Sequence, residues 1–379
     1  MKILHAITSL DKGGAENHLS ILTKEQIKNG NNISIFISKN SFYWVNILKK
    51  YGIKVFKSNY FIEKNLFFKF FKLYKDIIYI TKLIDKIKPH ILHAHLPYME
   101  IVCYFSLHLT KYKPKFIISK HLDNVFFKNS DGQKKSVVGS FIARKISNKA
   151  CKIIAISKAV KKFLISDFVG IQKNRIRIVR YGIDDAKTLS RKEKNIKLKK
   201  IKFLNKQYLI LGSIARLVPQ KSIDNILISL SLNKDKNIKL IIVGDGPLKL
   251  NLKKLAIKLN VNKQIIWIDF VDDLITFYKN IDVFVLTSQY EGLGLVFLEA
   301  MLSKKPIICS NTSAMPEIVE NNFNGFLIKP DRPVELSDAI SKLKNKRLRF
   351  KLGSNGYKKV KKEFSVKKMY LETNRIYNL

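Results

Sequence analysis

Short runs of consecutive apolar residues alternate with longer helix-like segments, and this alternation is the feature that most constrains the fold. KILHAI and NISIFIS are two such runs near the amino end, and YLILGSIAR and IKLIIVGDG lie further along. Strands that are apolar on both sides need cover on both faces, which is typical of a parallel sheet between two layers of helices. The sequence therefore predicts an α/β protein.

The alternation breaks once, at the highly charged stretch 187–206, and then resumes. A chain of 379 residues has room for two or three domains of about 150 residues each. We therefore expect two Rossmann-like, doubly wound domains in tandem, the first over residues 1–183 and the second over residues 184–359, with the charged stretch as the linker region.

The charge balance limits the partners. The chain has 71 Lys and Arg against 29 Asp and Glu, a formal net charge of +42. Such a charge attracts nucleic acid, anionic membranes and phosphorylated substrates. The richness in Lys, Ile and Asn is also the signature of an AT-rich genome, so the charge alone does not select a partner. Because no recognised nucleic-acid-binding motif occurs, we expect no nucleic-acid partner.

Cysteine spacing and hydropathy indicate the compartment. Cys103, Cys151 and Cys309 are far apart and form no Cys-x-x-Cys motif, which fits a reducing environment. No apolar run approaches the ~18 residues of a membrane span, and the start reads as a first strand and not as a signal peptide. We expect a cytoplasmic protein, peripheral on the inner face of the cell membrane if its charge is functional.

Two carboxylates stand in an apolar setting at the end of a predicted strand. The strand DVFVLTS ends just before Glu291, and Gly292 and Gly294 then allow a tight turn into a helix that starts near Leu295. Ligands of doubly wound sheets bind at the carboxyl ends of strands, and a helix amino end attracts phosphate. Glu299, little more than a turn inside the helix, could accept hydrogen bonds from a ribose diol.

This segment, EGLGLVFLEAM, resembles the carboxyl-terminal signature of family 4 glycosyltransferases, whose hallmark is a pair of glutamates separated by seven residues. Further motifs match in order over nearly the whole chain. They are GGAE (Gly13–Glu16), HAH (His93–His95), SKH (Ser119–His121), IIAIS (Ile153–Ser157), YGID (Tyr181–Asp184), ARLVPQK (Ala215–Lys221) and VGDGP (Val243–Pro247).

The resemblance implies the GT-B fold, two Rossmann-like domains facing a central cleft, with a last helix at about 360–379 crossing back to the first domain. It implies a retaining transferase that takes a sugar from a UDP- or GDP-linked donor and needs no cofactor. The acceptor would be a lipid-linked saccharide or another precursor of lipopolysaccharide or polysaccharide.

The resemblance also implies roles in the second domain. Glu299 would bind the ribose, Glu291 the donor sugar, and Arg216 and Lys221 the diphosphate. Positive charge after a strand end also suits a phosphoryl leaving group on physical grounds. The donor-binding segment around the first glutamate comprises Glu291, Gly292, Leu293, Gly294 and Leu295.

In the first domain the resemblance places Gly13 and Gly14 in a loop that approaches the diphosphate or the acceptor, and His121 near the reacting sugar. We expect His121 and Glu291 to be the catalytic residues. A neutral imidazole can bond a sugar hydroxyl or shuttle a proton. We expect only one of His93 and His95 to face the ligand, and we treat that pair as structural.

No Asp-x-Asp motif occurs, so we expect no metal on the diphosphate, its charge being met by the basic pair and the helix amino end. The chain departs from the family where glycine is usual. Ala215, Ser222, Asp269 and the pair Ser313–Ala314 replace glycines near the donor. Each replacement restricts the backbone φ and ψ angles that are accessible at that position.

Residues 62–79 form a basic amphipathic pattern. Apolar residues recur at helical spacing, and Lys64, Lys69, Lys72 and Lys75 fall off that stripe. Such a helix can pack its apolar side on the sheet while its lysines stay solvated or touch anionic lipid.

Two other functions remain open from the sequence. A nucleotide-sugar epimerase can share this architecture, although the glutamate pair and the basic pair favour a transferase. A nucleic-acid-binding protein is suggested by charge alone.

Overall fold

The structure is a computed structural model that describes residues 1–41, 43–58, 66–122, 137–166, 168–183, 208–233, 235, 237–271 and 274–379. Its contacts divide the chain into two compact units. The first unit is Met1–Gly182 with Val366–Leu379, and the second is Ile183–Ser365. The predicted linker region, 187–206, lies outside the described residues.

The first unit contains a seven-stranded sheet in the order β3-β2-β1-β4-β5-β6-β7, and all the strand pairs are parallel. The central strands are buried on both faces, as their continuous apolar runs predict. The strands are β1 (Lys2–Ile7), β2 (Asn32–Ile37), β3 (Lys54–Lys57), β4 (Ile91–His95), β5 (Lys115–Lys120), β6 (Lys152–Ala155) and β7 (Ile176–Ile178).

Helices connect these strands, as parallel neighbours require. The helices of the first unit are α1 (Gly14–Lys28), α2 (Val45–Lys49), α3 (Leu66–Ile87), α4 (Pro97–Leu109), α5 (Val137–Lys149), α6 (Lys158–Ile165) and α14 (Val366–Tyr377). Helix α14 packs along α1, and its Met369, Ile376 and Tyr377 belong to the core of the first unit.

The second unit contains a six-stranded parallel sheet in the order β10-β9-β8-β11-β12-β13. Its strands are β8 (Leu209–Ile214), β9 (Ile238–Val243), β10 (Ile265–Ile268), β11 (Val283–Leu286), β12 (Ile307–Ser310) and β13 (Gly325–Ile328). Its helices are α7 (Ile223–Leu232), α8 (Lys249–Lys258), α9 (Leu274–Lys279), α10 (Leu295–Leu302), α11 (Met315–Ile318), α12 (Pro333–Lys342) and α13 (Lys346–Glu363).

Each sheet reverses its strand order at one place. The reversal falls between β1 and β4 in the first unit and between β8 and β11 in the second. The crevice at the carboxyl ends of the strands on either side of such a reversal is where doubly wound folds bind ligands. The sheet topology therefore selects the loops after β1 and β4, and those after β8 and β11.

Helix α3 differs from the sequence-based expectation. Lys72, expected on an exposed lysine face, is buried, and its Nζ lies 2.9 Å from Oδ2 of the equally buried Asp76. The aromatic residues expected to pack on the sheet are instead exposed at the start of the helix, among them Phe70 and Tyr74. Lys64 lies outside the described residues. The prediction for the two faces of this helix is therefore wrong in its first turns.

Among the described helices, none has the length and apolar character that crossing a bilayer requires.

Tyr377 ties α14 to the first sheet. Its hydroxyl lies 2.7 Å from Nδ1 of the buried His93 and accepts a hydrogen bond from Nε2 of Gln26 at 3.3 Å.

Removing the hydroxyl by Tyr377→Phe leaves a buried imidazole nitrogen without this partner, which costs about 1–3 kcal/mol. We expect that loss in the free energy of unfolding measured with urea. Tyr370→Phe is the matched control on the same helix, because the hydroxyl of Tyr370 makes only a 3.5 Å contact with Asn31. Equal losses in the two variants would contradict the assignment.

Candidate functional site

In the second unit, two loops on either side of the strand reversal carry the predicted charged residues. Arg216 and Lys221 follow β8, and Glu291 follows β11. Nζ of Lys221 lies 2.5 Å from Oε1 of Glu291, so an ion pair joins the two loops. The same oxygen accepts a hydrogen bond from the hydroxyl of Ser288 at 2.8 Å. The structure thus brings together a sugar-binding and a phosphate-binding candidate that the sequence treats separately.

Arg216 is exposed, in contrast to the paired Lys221. Its loop is held by the loop after β9, since the amide of Leu217 donates to the carbonyl of Asp245 at 2.9 Å. The two backbones approach so closely at Gly244 that a Cβ there would lie 1.8 Å from the carbonyl oxygen of Ala215. Glycine is therefore required at 244 for Arg216 to be presented at this edge of the sheet.

Glu299 is buried in α10, one turn from its start. The hydroxyl of Tyr278 lies 3.0 Å from Oε2 of Glu299 and 3.1 Å from the carbonyl oxygen of Val296. Burial raises the pKa of Glu299 to about 7, and the hydrogen bond from Tyr278 acts in the opposite direction. The carboxyl group is therefore close to half protonated at neutral pH.

The turn before α10 offers a ligand its backbone N–H groups and not its side chains. Leu293 and Leu295 are buried, so only their amide groups can serve a ligand. Gly294 caps the helix with φ at +84°, and a Cβ there would lie 2.6 Å from the ring of Phe297. No side chain caps this helix, which leaves its first N–H groups for an anion.

Both serines that replace family glycines keep a backbone conformation that glycine adopts easily. Ser222 has φ at +43° and Ser313 has φ at +52°, both in the left-handed region. The hydroxyl of Ser313 donates to the carbonyl of Glu291 at 2.7 Å, which steadies the strained turn. These substitutions therefore retain the loop conformation at a cost of about 1–2 kcal/mol each. Asp269 forms an exposed ion pair with Lys249 at 2.8 Å.

In the first unit, Gly13 caps α1 in an extended conformation and Gly14 begins the helix, directly after the loop that follows β1. The carboxylate of Glu16 lies beside Gly13, where a Cβ would be 2.1 Å from its Oε2. Burial raises the pKa of Glu16, and its Oε1 accepts a hydrogen bond from Ser9 at 3.2 Å. An acidic group at this helix start favours hydroxyl ligands over phosphate.

His121 follows β5 and is buried, with both ring nitrogens engaged. Its Nδ1 lies 2.5 Å from the hydroxyl of Tyr181, and its Nε2 lies 3.1 Å from Nδ1 of His95. The imidazole reaches a sugar hydroxyl only if one of these bonds is exchanged.

The interpretation that only one of His93 and His95 faces the ligand is wrong. Residues two apart in a strand lie on the same face, and the two rings are 4.1 Å apart. Both are buried, and neither is at the surface of the site. His5, the register partner of His93 on β1, completes the group.

The rings of His121, His95 and His5 form a continuous hydrogen-bonded chain. Nε2 of His95 lies 3.1 Å from Nδ1 of His5, whose Nε2 lies 2.9 Å from Oε1 of Gln26. One assignment of protons satisfies every link: Tyr181 donates to His121, His121 to His95, His95 to His5, and His5 to Gln26. Each ring then carries its proton on Nε2 and is neutral. Burial lowers the pKa of His5 to about 4 and, together with the charge of Lys120, that of His121 to about 3.

His5, His93 and His95 are the one group of the described residues whose nitrogens, all within 4.8 Å, could ligate a metal. Their nitrogens are already bonded: His5 to Gln26 and His95, and His93 to Ser119 Oγ at 2.8 Å and to Tyr377. The group lies inside the first unit, and a metal bound there would have to displace these hydrogen bonds.

A pocket opens at the carboxyl ends of β4 and β5. Glu100 and Lys120 form a buried ion pair in its wall, beside His121 and the apolar Leu96 and Phe163. Burial raises the pKa of Glu100, while the charge of Lys120 opposes the shift. The pocket therefore combines apolar walls with a few polar groups, as small-molecule sites commonly do.

Sequence reasoning missed several residues of these networks. Tyr278 and His5 gave no signal by spacing, because each reaches its partner through the packing of elements distant in sequence. Tyr181 belongs to the YGID motif and Ser288 ends the strand DVFVLTS, but neither pattern indicates the hydrogen bond that the side chain makes. The register of β1 against β4 is the observation that could have found His5.

Comparison with known proteins supports the family resemblance. The model for glycosyl transferases group 1 matches residues 194–359, and the model for glycosyltransferase family 4 matches residues 12–187. A capsular polysaccharide biosynthesis glycosyltransferase of Staphylococcus aureus, CapM, is 30% identical over 60% of this chain and 62% of its own. An uncharacterized glycosyltransferase of Methanocaldococcus jannaschii is 29% identical over 96% of this chain and 94% of its own. The first three curated relatives are matched over only 60–64% of their length.

Solved structures agree on the fold. HepE of Anabaena in complex with UDP-glucose has a TM-score of 0.82 at 19% identity and covers 100% of both chains. A glycosyltransferase of Rickettsia africae has a TM-score of 0.80 at 21% identity and covers 99% of this chain and 97% of its own. The two family models lie in tandem along the chain, and both units have the Rossmann-like architecture. The chain therefore belongs to the group 1/family 4 glycosyltransferases, and its fold is GT-B.

The buried histidines make the first unit sensitive to acid. His5, His18, His93, His95 and His121 all have pKa values lowered by burial. Below the unfolded pKa of about 6.5 only the unfolded chain takes up these protons, so each histidine removes up to about 1.4 kcal/mol of stability per pH unit. The raised pKa values of Glu16 and Glu100 act in the opposite direction. We expect the five histidines to dominate, with stability intact above pH 6.5 and lost as pH falls towards 4.

Fluorescence can isolate this effect, because Trp44 lies in the first unit and Trp267 in the second. In a Trp267→Phe background, urea unfolding followed by Trp44 should give a free energy that falls steeply from pH 7 to pH 5. His108→Gln removes an exposed histidine and should leave the profile unchanged. A flat profile would mean that the buried rings titrate normally in the folded unit.

Proposed function

We propose that the protein is a retaining glycosyltransferase that moves a sugar from a nucleotide-diphosphate donor to a lipid-linked saccharide or a polysaccharide precursor. The observation that carries the proposal is the pairing of Lys221 with Glu291 across the strand reversal of the second unit, with Arg216 exposed at the same edge. Charged groups of both signs at this place suit a ligand that has a diphosphate and a sugar.

The donor diphosphate would be met by positive charge and backbone amides. Arg216 supplies an exposed guanidinium, whose fork matches phosphate oxygens. The uncapped start of α10 supplies the N–H groups of the Gly292–Leu295 turn. Lys221 is held in place by Glu291 and would share its charge between that carboxylate and the leaving phosphate. These groups stabilise charge on the departing nucleotide without a metal, so we propose metal-independent transfer with no cofactor.

Glu299 would bind the ribose, since its ionised carboxylate can accept hydrogen bonds from two neighbouring hydroxyls. Lys221 and Ser288 both contact Oε1 of Glu291, so Glu291 would bind the hydroxyls of the donor sugar with Oε2. His121 would bond the transferred sugar after its link to Tyr181 is exchanged. In retention by front-face attack, the leaving phosphate takes the proton of the acceptor hydroxyl.

The acceptor would be bound mainly by the first unit. The pocket beside Lys120 and His121 and the hydroxyl-favouring start of α1 support this role. Relatives include an O-antigen biosynthesis glycosyltransferase and a galactosyltransferase acting on GlcNAc-diphosphoundecaprenol, both of Escherichia coli. By this analogy we propose a membrane-linked saccharide as acceptor and a location on the cytoplasmic face of the membrane. A UDP sugar is the first donor to test, ahead of a GDP sugar, because HepE was solved with UDP-glucose.

The two glutamates should separate binding from transfer. Glu299→Gln mimics the protonated carboxyl, so its cost to nucleotide binding should appear only where wild-type Glu299 is ionised. With a pKa of about 7, the ratio of the variant Kd to the wild-type Kd should be about twofold at pH 6 and about tenfold at pH 8. Taking the ratio cancels the titration of the nucleotide itself.

Glu291→Gln is the matched isosteric change. It should alter the nucleotide Kd less than about threefold, since the amide oxygen of Gln can still accept hydrogen bonds from Lys221 and Ser288 and no ribose contact is lost. It should lower kcat roughly 100-fold, because the carboxylate contact to the sugar is lost. Titration calorimetry with UDP and GDP and transfer of labelled sugar measure the two effects. A pH-independent ratio for Glu299→Gln, or full turnover by Glu291→Gln, would refute these roles.

A further inference from the structure

Two side chains of α3, Lys72 and Asp76, hold the helix at the carboxyl ends of β2 and β3. Nζ of Lys72 donates to the carbonyl oxygen of Ser38 at 2.8 Å, directly after β2. Asp76 accepts hydrogen bonds from the hydroxyls of Ser38 at 2.6 Å and of Ser58, directly after β3, at 2.5 Å. This buried network fixes the level of the helix at the carboxyl ends of the strands. At 1.5 Å per residue, the six residues before Lys72 extend about 9 Å beyond it.

Aromatic rings are exposed along one side of the helix, both in these six residues and in the turn that contains Lys72. Phe70 is 63% exposed and Tyr74 58%, while Phe71 and Phe68 are 43% and 41% exposed. At about 100° per residue, Phe70, Tyr74 and Phe71 fall within about 100° of one another, and Phe68 borders them. We call these four residues the α3 aromatic surface. Contiguous exposed rings of this kind mark an interaction site.

Charge indicates what the α3 aromatic surface meets. Lys69 is exposed, and Nζ of Lys75 lies 5.1 Å from the centre of the Phe71 ring, so the rings are flanked by cations. A net charge of +42 opposes association with a second copy of the chain and favours an anionic surface. Exposed aromatic rings beside lysines suit the interface of an anionic bilayer, where rings enter the boundary between headgroups and acyl chains.

We propose that the α3 aromatic surface inserts into the interface of an anionic lipid bilayer and so brings the carboxyl edge of the first sheet to the membrane. That this membrane contact serves a lipid-linked acceptor rests on the proposed function, but the insertion of the aromatic rings does not. The mechanism differs from docking by lysines alone, because Lys72 is buried and cannot contribute. Salt should therefore weaken membrane binding without abolishing it, since ring insertion is not screened.

Vesicle sedimentation tests the proposal with the whole protein. Vesicles of phosphatidylglycerol and phosphatidylcholine should bind the parent at low salt and retain part of it at 1 M salt. Phe70→Ser combined with Tyr74→Ser should weaken partitioning at least about tenfold and remove the salt-resistant part. The matched control is Phe350→Ser in the second unit, where the side chain is 74% exposed, and it should bind vesicles like the parent.

Thermal shift with UDP and GDP accompanies each variant, because a folded donor site is stabilised by its ligand. Unchanged vesicle binding by the double variant overturns the proposal, as does binding that 1 M salt abolishes completely. If the parent sediments as a dimer and the double variant as a monomer, the surface binds a second copy of the chain instead. If neither UDP nor GDP raises the melting temperature of the parent, the proposed function is refuted and membrane insertion still stands.

Discussion

The ion pair between Lys221 and Glu291 joins the two loops at the strand reversal of the second unit, and the arrangement of the candidate donor site depends on it. Both side chains are largely buried, and a buried charge is stable only when it is paired and hydrogen-bonded. Ser288 supplies the additional bond on the same carboxylate oxygen. Removing either partner would leave the other uncompensated, so the pair fixes the separation of the two loops before any ligand arrives.

The two units bury their polar groups by different means. The second unit pairs charges and keeps one carboxyl, Glu299, near the midpoint of its titration. The first unit keeps a chain of histidines neutral, with each ring donating from one nitrogen and accepting at the other. A neutral chain costs less to bury than ions, but it requires every link to be made. The first unit also buries ion pairs, Glu100 with Lys120 and Lys72 with Asp76, and two serine hydroxyls support the second of these pairs.

Much of the fold could be predicted from the sequence, because continuous apolar runs can be buried on both faces only in a parallel sheet. β1 occupies the predicted Lys2–Ile7, and β2 covers the predicted run NISIFIS to within one residue. Placement after strand ends also selected the residues Arg216, Lys221 and Glu291.

The errors have physical causes. Helical periodicity places the aromatic residues of α3 towards a sheet, but in the first turns of the helix Phe68, Phe70 and Phe71 are exposed among the described residues. Lys72 is buried because Asp76, four residues on, and the ends of two strands supply its partners. The histidine chain depends on strand register, and the role of Tyr278 depends on how α9 packs against α10. Neither kind of information is present in local spacing.

The central claim is that a nucleotide diphosphate binds the second unit at the turn before α10 and the loop after β8. Amide hydrogen exchange with and without saturating UDP and GDP tests this claim most directly. The account predicts slower exchange in Gly292–Ala300 and in Arg216–Ser222 with at least one of the two nucleotides, because their amides and neighbouring charges hold the ligand. Protection that is absent from both segments, or that falls only on the first unit, would contradict it.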